Sequence, residues 1–318
     1  STFINCYSVF RSAGAVAWKE KNGQILDTKF INCYSLSGDS STFSGKGGAM
    51  YFEKAKNNIL LNVSFINCSA LYEGAAIYYR NTDNDPSSNN THINCTFINN
   101  NVTRNGGALA FASANETYDG CIFVNNSASN GGSICYSVNG GIIIRNSIFV
   151  NNTNITNGGF IYINGSKVEI TNNTFNNGSA ENGGAIYVNT AVTINDSSFT
   201  NNTAENGGAL YITKDTTLNN CNVTNNNATK GSGIYVNSGK LTLKKVKLIE
   251  NQANAKEFLD ISDNVIGDKR SISGVFTGWD NYLNGIYVVT DNVKFEDVLY
   301  LGIDNLGTVA IVNTDDTS

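Results

Sequence analysis

Seven cysteines, one histidine and a few carboxylates are the groups in this 318-residue chain that could carry chemistry. Cys6, Cys33 and Cys68 each follow a phenylalanine by three residues, and Cys95, Cys121 and Cys221 each precede a phenylalanine, or its equivalent, by two. Cys135 stands apart. An odd number of thiols at matching positions fits small buried side chains better than a disulfide framework. A disulfide between neighbours such as Cys95 and Cys121 is the competing reading. A metal site from Cys6, Cys33 and Cys68 is a third, and no CxxC spacing supports it. His92 lies in a turn-rich stretch, Asn81 to Asn94, with the only proline, Pro86, and is expected to be a solvated loop residue. One histidine cannot build a histidine-based metal site, and no Ser/His/Asp arrangement is visible. No metal and no cofactor are expected.

Glycoside hydrolysis would need two or three carboxylates close together, one protonated and one ionised. The best pair is Glu181 and Glu205, each two residues before a Gly-Gly pair. Their column reads Arg104, Ser129, Thr156, Glu181, Glu205, a mixture that suits an exposed turn. Asp196 has no acidic neighbour, and no basic cluster suggests a lyase. An enzyme is therefore not expected, and a polysaccharide lyase or hydrolase remains the competing class. The aromatic residues are more suggestive. In runs such as GGAIYV the flanking aliphatics read as inward, which turns the tyrosine between them outward. That column is Ala17, Tyr51, Tyr78, Ala110, Cys135, Tyr162, Tyr187, Tyr211, Tyr235. Tyr162, Tyr187, Tyr211 and Tyr235 would form a stripe about 15 Å long at the strand spacing. Aromatic faces beside asparagine amides suit sugar rings, and exposed aromatic patches also mark protein interfaces. Stacked tyrosines that merely stabilise their sheet are the plainer reading.

The elements that position these groups are repeats. A Phe-x-Asn block recurs at Phe3, Phe30, Phe65, Phe97, Phe123, Phe149, Phe175 and Phe199, with Val223 and Ile249 continuing the series. A Gly-Gly pair with a short apolar run follows most of them, as in GGALAF at 106–111 and GGALYI at 207–212. A third run precedes each Phe, as in Val192-Thr-Ile194. Each unit of about 24–27 residues thus holds three alternating, strand-length runs. The period is too short for a propeller blade of about 40 residues. Three strands per unit predict an all-β parallel β-helix of about ten or more coils. Stacking accounts for 52 asparagines. The residue two after each Phe is Asn from Asn5 to Asn251, and Asn62, Asn94, Asn146, Asn172, Asp196 and Asn220 make a second column. Stacked amides can bond along the axis. The first column is expected to face inward, which would block sequons within it such as that of Asn201. Other sequons include Asn62-Val-Ser, Asn101-Val-Thr, Asn154-Ile-Thr and Asn227-Ala-Thr. The Gly pairs would supply positive φ or close approach.

The paired Phe-x-x-Asn and Gly-Gly-Ala-Ile motifs resemble polymorphic-membrane-protein repeats. Asparagine-rich versions such as FTNNTAENGGALYI at 199–212 look most like adhesin-like surface proteins of methanogenic archaea. The resemblance covers about residues 1–254. It implies a right-handed parallel β-helix on a secreted, surface-displayed chain that attaches to a carbohydrate or to a surface protein of another cell. It carries over no binding residue. A passive stalk is the further alternative.

Residues 1–254 are read as the repeats, and 255–318 as irregular coils, a cap and a linker. Asn284 to Val288 and Val293 to Phe295 revive two of the runs. The opening Ser1-Thr-Phe-Ile-Asn-Cys reads as a segment of a longer protein. A net charge of −5 and scattered Lys and Arg argue against nucleic acid. No apolar run is long enough to insert in a membrane, and the segment is expected to be monomeric.

Overall fold

The computed structural model describes residues 1–36, 45–80, 87–111, 115–137, 140–153, 155–249 and 251–253, with the strand backbones of 286–288, 293–296, 298–301 and 309–312. The chain is an all-β parallel solenoid of about nine coils. The Phe sheet begins with Thr2–Ile4, Lys29–Ile31 and Ser64–Ile66 and runs to Asn222–Thr224 and Lys247–Ile249. The Tyr sheet runs from Val16–Trp18 to Ile234–Val236, and a linking sheet from Gln24–Leu26 to Leu241–Lys244. Each strand pairs in parallel with its equivalent one coil away. A fourth, short ribbon lies between the Phe and Tyr sheets, in two runs that end at Asn101–Val102 and begin at Ile155–Asn157.

Alternation along each strand fills the interior. Phe30, Phe65, Phe97, Phe123, Phe149, Phe175 and Phe199 are buried in one column. With Phe3, their rings stack at 4.5–5.1 Å between centroids. In the next coils Val223 and then Leu248 take the place of phenylalanine. The series therefore continues through Leu248 and not Ile249, and Asn251 belongs one column further on than expected.

The corners explain the asparagines. Asn5, Asn32, Asn67, Asn99, Asn125, Asn151, Asn177, Asn201 and Asn225 all adopt positive φ of 52–61°. Asn tolerates this left-handed region better than other side chains, so one residue turns the chain sharply. These asparagines are exposed, which corrects the inward placement of their column and removes the steric reason for Asn201 to be blocked. The second column turns likewise at Asn62, Asn94, Asn146, Asn172, Asp196 and Asn220, with Gly120 taking one coil. Its side chains bond along the axis, as in Asn172 Nδ2 to Asn146 Oδ1 at 2.8 Å.

The buried ladder lies one residue further on, at Asn100, Asn126, Asn152, Asn202, Asn226 and Asn251. Asn226 Oδ1 accepts from the backbone N–H of Asn202 at 2.9 Å, while the Asn202 amide donates to the Phe175 carbonyl at 3.1 Å. Each buried amide thus satisfies backbone groups that the corner removes from the sheets. Thiols perform the same task in the first coils. Cys33 and Cys68 direct Sγ to the Phe3 and Phe30 carbonyls at 3.8 and 3.7 Å. At the other corner Cys95, Cys121 and Cys221 contact the Leu60, His92 and Ile194 carbonyls at 3.4–3.6 Å. All seven cysteines are free thiols, with Cys6 half-buried and the rest buried.

The Gly-Gly corner uses its two residues differently. Gly183 has φ +68°, while a Cβ on Gly184 would lie 2.1 Å from the Gly208 carbonyl oxygen. The first needs freedom in φ, and the second needs the absence of a side chain.

His92 is not a loop residue. It lies in the strand Thr91–Ile93 and is fully buried. Its ring stacks on Tyr118 at 4.4 Å, Nε2 lies 2.5 Å from the Tyr79 hydroxyl, and Nδ1 lies 3.3 Å from the Thr117 carbonyl oxygen. Neutral imidazole, with its proton on Nδ1, satisfies both contacts.

Beyond Ala253, Ile286–Val288, Val293–Glu296 and Val298–Leu301 pair in parallel with the last strands of the Tyr, linking and Phe sheets. Val309–Val312 then pairs antiparallel with Val298–Leu301. The expected linker at 313–318 lies outside the described residues, as does most of the expected cap.

Candidate functional site

The tyrosine column is set by the strands Ile161–Ile163, Ile186–Val188, Leu210–Ile212 and Ile234–Val236. In each, the two aliphatic residues are buried and the tyrosine between them is half-buried. The phase is the expected one: the aliphatics fill the solenoid and Tyr162, Tyr187, Tyr211 and Tyr235 face outward. Backbone register places these four directly above one another. Their rings stack at 5.2, 4.9 and 4.9 Å, with interplanar angles of 19°, 10° and 7°.

Stacking changes what the column presents. Within the stack each ring face meets a neighbouring ring, so the outer surface is a row of ring edges and hydroxyls. Burial by neighbours raises the ionisation range of Tyr162, Tyr187 and Tyr211, reinforced at Tyr162 by Cys135 and at Tyr211 by the flanking tyrosines. Their hydroxyls therefore stay protonated at neutral pH, each able to donate and accept a hydrogen bond.

Polar ladders border the stack on both sides. Two residues on, and so on the same face, lie Asn164, Asn189, Thr213 and Asn237. Asn189 Nδ2 donates to Asn164 Oδ1 at 2.9 Å, and Thr213 Oγ1 to Asn189 Oδ1 at 2.6 Å. Before the Gly-Gly corner, Asn157, Asn182 and Asn206 form another row, with amide bonds of 3.1 and 2.9 Å. Reading the repeat for the tyrosine alone missed these rows. The signal was a polar residue two positions after each tyrosine, where alternation demands an outward side chain.

The same column is closed in the earlier coils. Tyr51 and Tyr78 are each only 6% exposed and form an outer cluster with Ala110. Lys46 Nζ lies 4.6 Å from the Tyr78 ring centroid, donates to its hydroxyl at 3.3 Å and pairs with Glu73 at 2.6 Å. Arg80 pairs with Glu53, and Lys19 reaches the same carboxylate at 2.7 Å.

The carboxylate pair weighed for hydrolysis, Glu181 and Glu205, is exposed on the ribbon strands Ser179–Asn182 and Thr203–Asn206. Among the described residues no group of three His, Cys, Asp or Glu side chains is placed to hold a metal ion. Comparison of the chain with protein-family models, curated proteins and solved structures gives no match.

Proposed function

We propose that this chain is a segment of a cell-surface adhesin: an elongated rod whose Tyr sheet contacts a carbohydrate or a surface protein of another cell. One observation carries the reading. Four outward tyrosines lie in unbroken register, half-exposed and edged by polar ladders, while equivalent tyrosines in earlier coils are sealed by ion pairs. A stack that served only to stabilise its sheet would need no such difference. The repeated unit also matches a repeated ligand. A polysaccharide lying along the axis meets, in each coil, one phenolic hydroxyl and one side chain of a polar row. Each contact is weak, and the gain comes from making several at once.

Residence on the cell surface follows the resemblance to adhesin-like repeat proteins. Glu181 and Glu205, the best carboxylate pair, stand exposed on ribbon strands, which favours binding over hydrolysis. A glycan array with the purified segment, followed by a length series of each ligand found, tests the reading. Affinity should climb steeply until the oligomer spans the four tyrosines and then level off. Affinity independent of length, or no ligand on the array or among intact cells, would reject it in favour of a passive stalk.

A further inference from the structure

We propose that the exposed corner asparagines beside the Phe sheet are N-glycan acceptors, and that the glycans gather on that side and leave the tyrosine stack bare. This rests on the surface-protein reading, since N-glycosylation requires export past a glycosylation machinery.

The observation is which asparagines begin an Asn-x-Ser/Thr triplet. In the left-handed corner after the Phe sheet, Asn67, Asn125, Asn151, Asn177 and Asn201 do so, with Ser69, Ser127, Thr153, Ser179 and Thr203 two residues on. In the corner before that sheet, Asn62, Asn94 and Asn172 do so as well. All eight are exposed. In the buried ladder one residue away, Asn100, Asn126, Asn152, Asn202, Asn226 and Asn251 begin none. The acceptor triplets therefore lie where a bulky saccharide fits.

The corner supplies the geometry. A positive-φ asparagine projects from the corner of the rod, where its amide meets a side chain of the neighbouring coil, as Asn201 meets Asn176 at 3.3 Å. Transfer to it breaks the bond between the saccharide C1 and the phosphate oxygen of a lipid-linked pyrophosphate donor. It forms a bond from C1 to Nδ2, which gives up one proton as the lipid pyrophosphate leaves. The product amide keeps one N–H. Asn177, whose Nδ2 donates to Asn151 Oδ1 at 2.8 Å, can thus carry a glycan and keep its ladder bond. Adjacent acceptors are only about 4.8 Å apart, so neighbouring coils compete for space.

The Tyr sheet is bordered differently. Asn182 and Asn206 are followed by Gly-Gly, Asn189 by Thr-Ala and Asn237 by Ser-Gly, none of which is an acceptor triplet. Asn164-Gly-Ser166, at the first coil of the stack, is an exception, and Asn89-Asn-Thr91 and Asn115-Glu-Thr117 place two more exposed, left-handed acceptors at the corner between the Tyr and linking sheets, both in coils before the stack. Glycans on the eight corner acceptors beside the Phe sheet would cover that side while the stack from Tyr187 to Tyr235 stays open.

Glycopeptide mass spectrometry of the protein isolated from the cells that make it, with occupancy read site by site, tests this. Saccharide is expected on the corner asparagines, with Asn151, Asn177 and Asn201 not all filled on one molecule at that coil spacing. Thr203→Val, an outward change that keeps a β-branched side chain, should remove the glycan of Asn201 alone. Unmodified corner peptides would overturn the proposal, and so would glycans concentrated on the strand residues Asn222 and Asn227. Site occupancy does not depend on whether the tyrosines bind anything, so its failure and the failure of the adhesin reading are separate results.

Discussion

The first five coils and the last four use one frame in opposite ways. In the early coils the large and polar groups are inside. The inward position that begins as Trp18 and Phe52 continues as Tyr79, Phe111 and Tyr136, then becomes Ile163, Val188, Ile212 and Val236. A second inward position reads Ile25 and Leu60, takes His92 and Tyr118 in the next two coils, and returns to Ile144, Ile170 and Ile194. A third reads Asn58, Asn90 and Glu116 and then Ile142, Val168 and Val192. Outside, the trend reverses. Ile4, Ile31, Ile66, Ile98, Val124 and Val150 give way to Asn176, Thr200 and Thr224 on the Phe sheet, while open tyrosines appear on the Tyr sheet. The stacked phenylalanines cross the boundary unbroken. A solenoid held by one continuous column and by its corners can change its other columns coil by coil, and on this chain's Tyr sheet the open tyrosines belong to the late coils.

The largest expected effect that separates the halves is acid sensitivity. Burial holds the His92 imidazole at about 3, well below its ordinary range near 6.5. As pH falls through this window the unfolded chain takes up a proton that the folded chain refuses, so stability is present above about 6.5 and is lost on acidification. The slope is about 1.4 kcal/mol per pH unit, or about 2 kcal/mol by pH 5 and about 5 kcal/mol near pH 3. Hydrogen exchange should show the early strands losing protection at pH 5 while the late strands keep theirs. His92→Asn should flatten the dependence between pH 6.5 and 5. Equal loss in both halves, or an unchanged slope in the variant, would break the comparison.

A smaller effect separates the two adjacent asparagine columns. Asn202→Ala leaves the buried N–H of Gly178, now bonded to Asn202 Oδ1 at 2.8 Å, without a partner. The expected cost is about 1–3 kcal/mol. Asn201→Gly keeps the left-handed turn and should change stability by less than about 0.5 kcal/mol. Urea denaturation of both variants distinguishes them, and the reverse order would mean that the columns exchange roles.

Much of this was legible in the sequence because it repeats. Equivalent residues stack, so the Phe series, the Gly-Gly corner and the outward phase of Tyr162, Tyr187, Tyr211 and Tyr235 follow from periodicity and alternation alone. The inward asparagine column was misread by one residue because Asn-Asn pairs put an amide at both positions, and only a backbone conformation separates them. Coils without the pair carry the correct frame: cysteine or glycine takes the inner position in Asn5-Cys6, Asn32-Cys33, Asn67-Cys68 and Asn177-Gly178, and the asparagine of Ile249-Glu-Asn251 aligns with Asn226 and not with Asn225. His92 was hidden by its turn-rich neighbourhood. Counting five residues back from Phe97, as Leu60 is counted from Phe65, places it inside. The ion pairs over Tyr78 were not legible, because Lys46 and Glu73 come from successive coils and meet only when the coils stack.

The central claim is that the tyrosine stack of the late coils is a contact surface and not a brace. Adhesion and melting temperature should be measured together for the intact rod and for Tyr187→Ala/Tyr211→Ala. Loss of most adhesion with a melting temperature within a few degrees of the parent is the predicted result, since surface changes cost little. A markedly lower melting temperature with adhesion intact would contradict it.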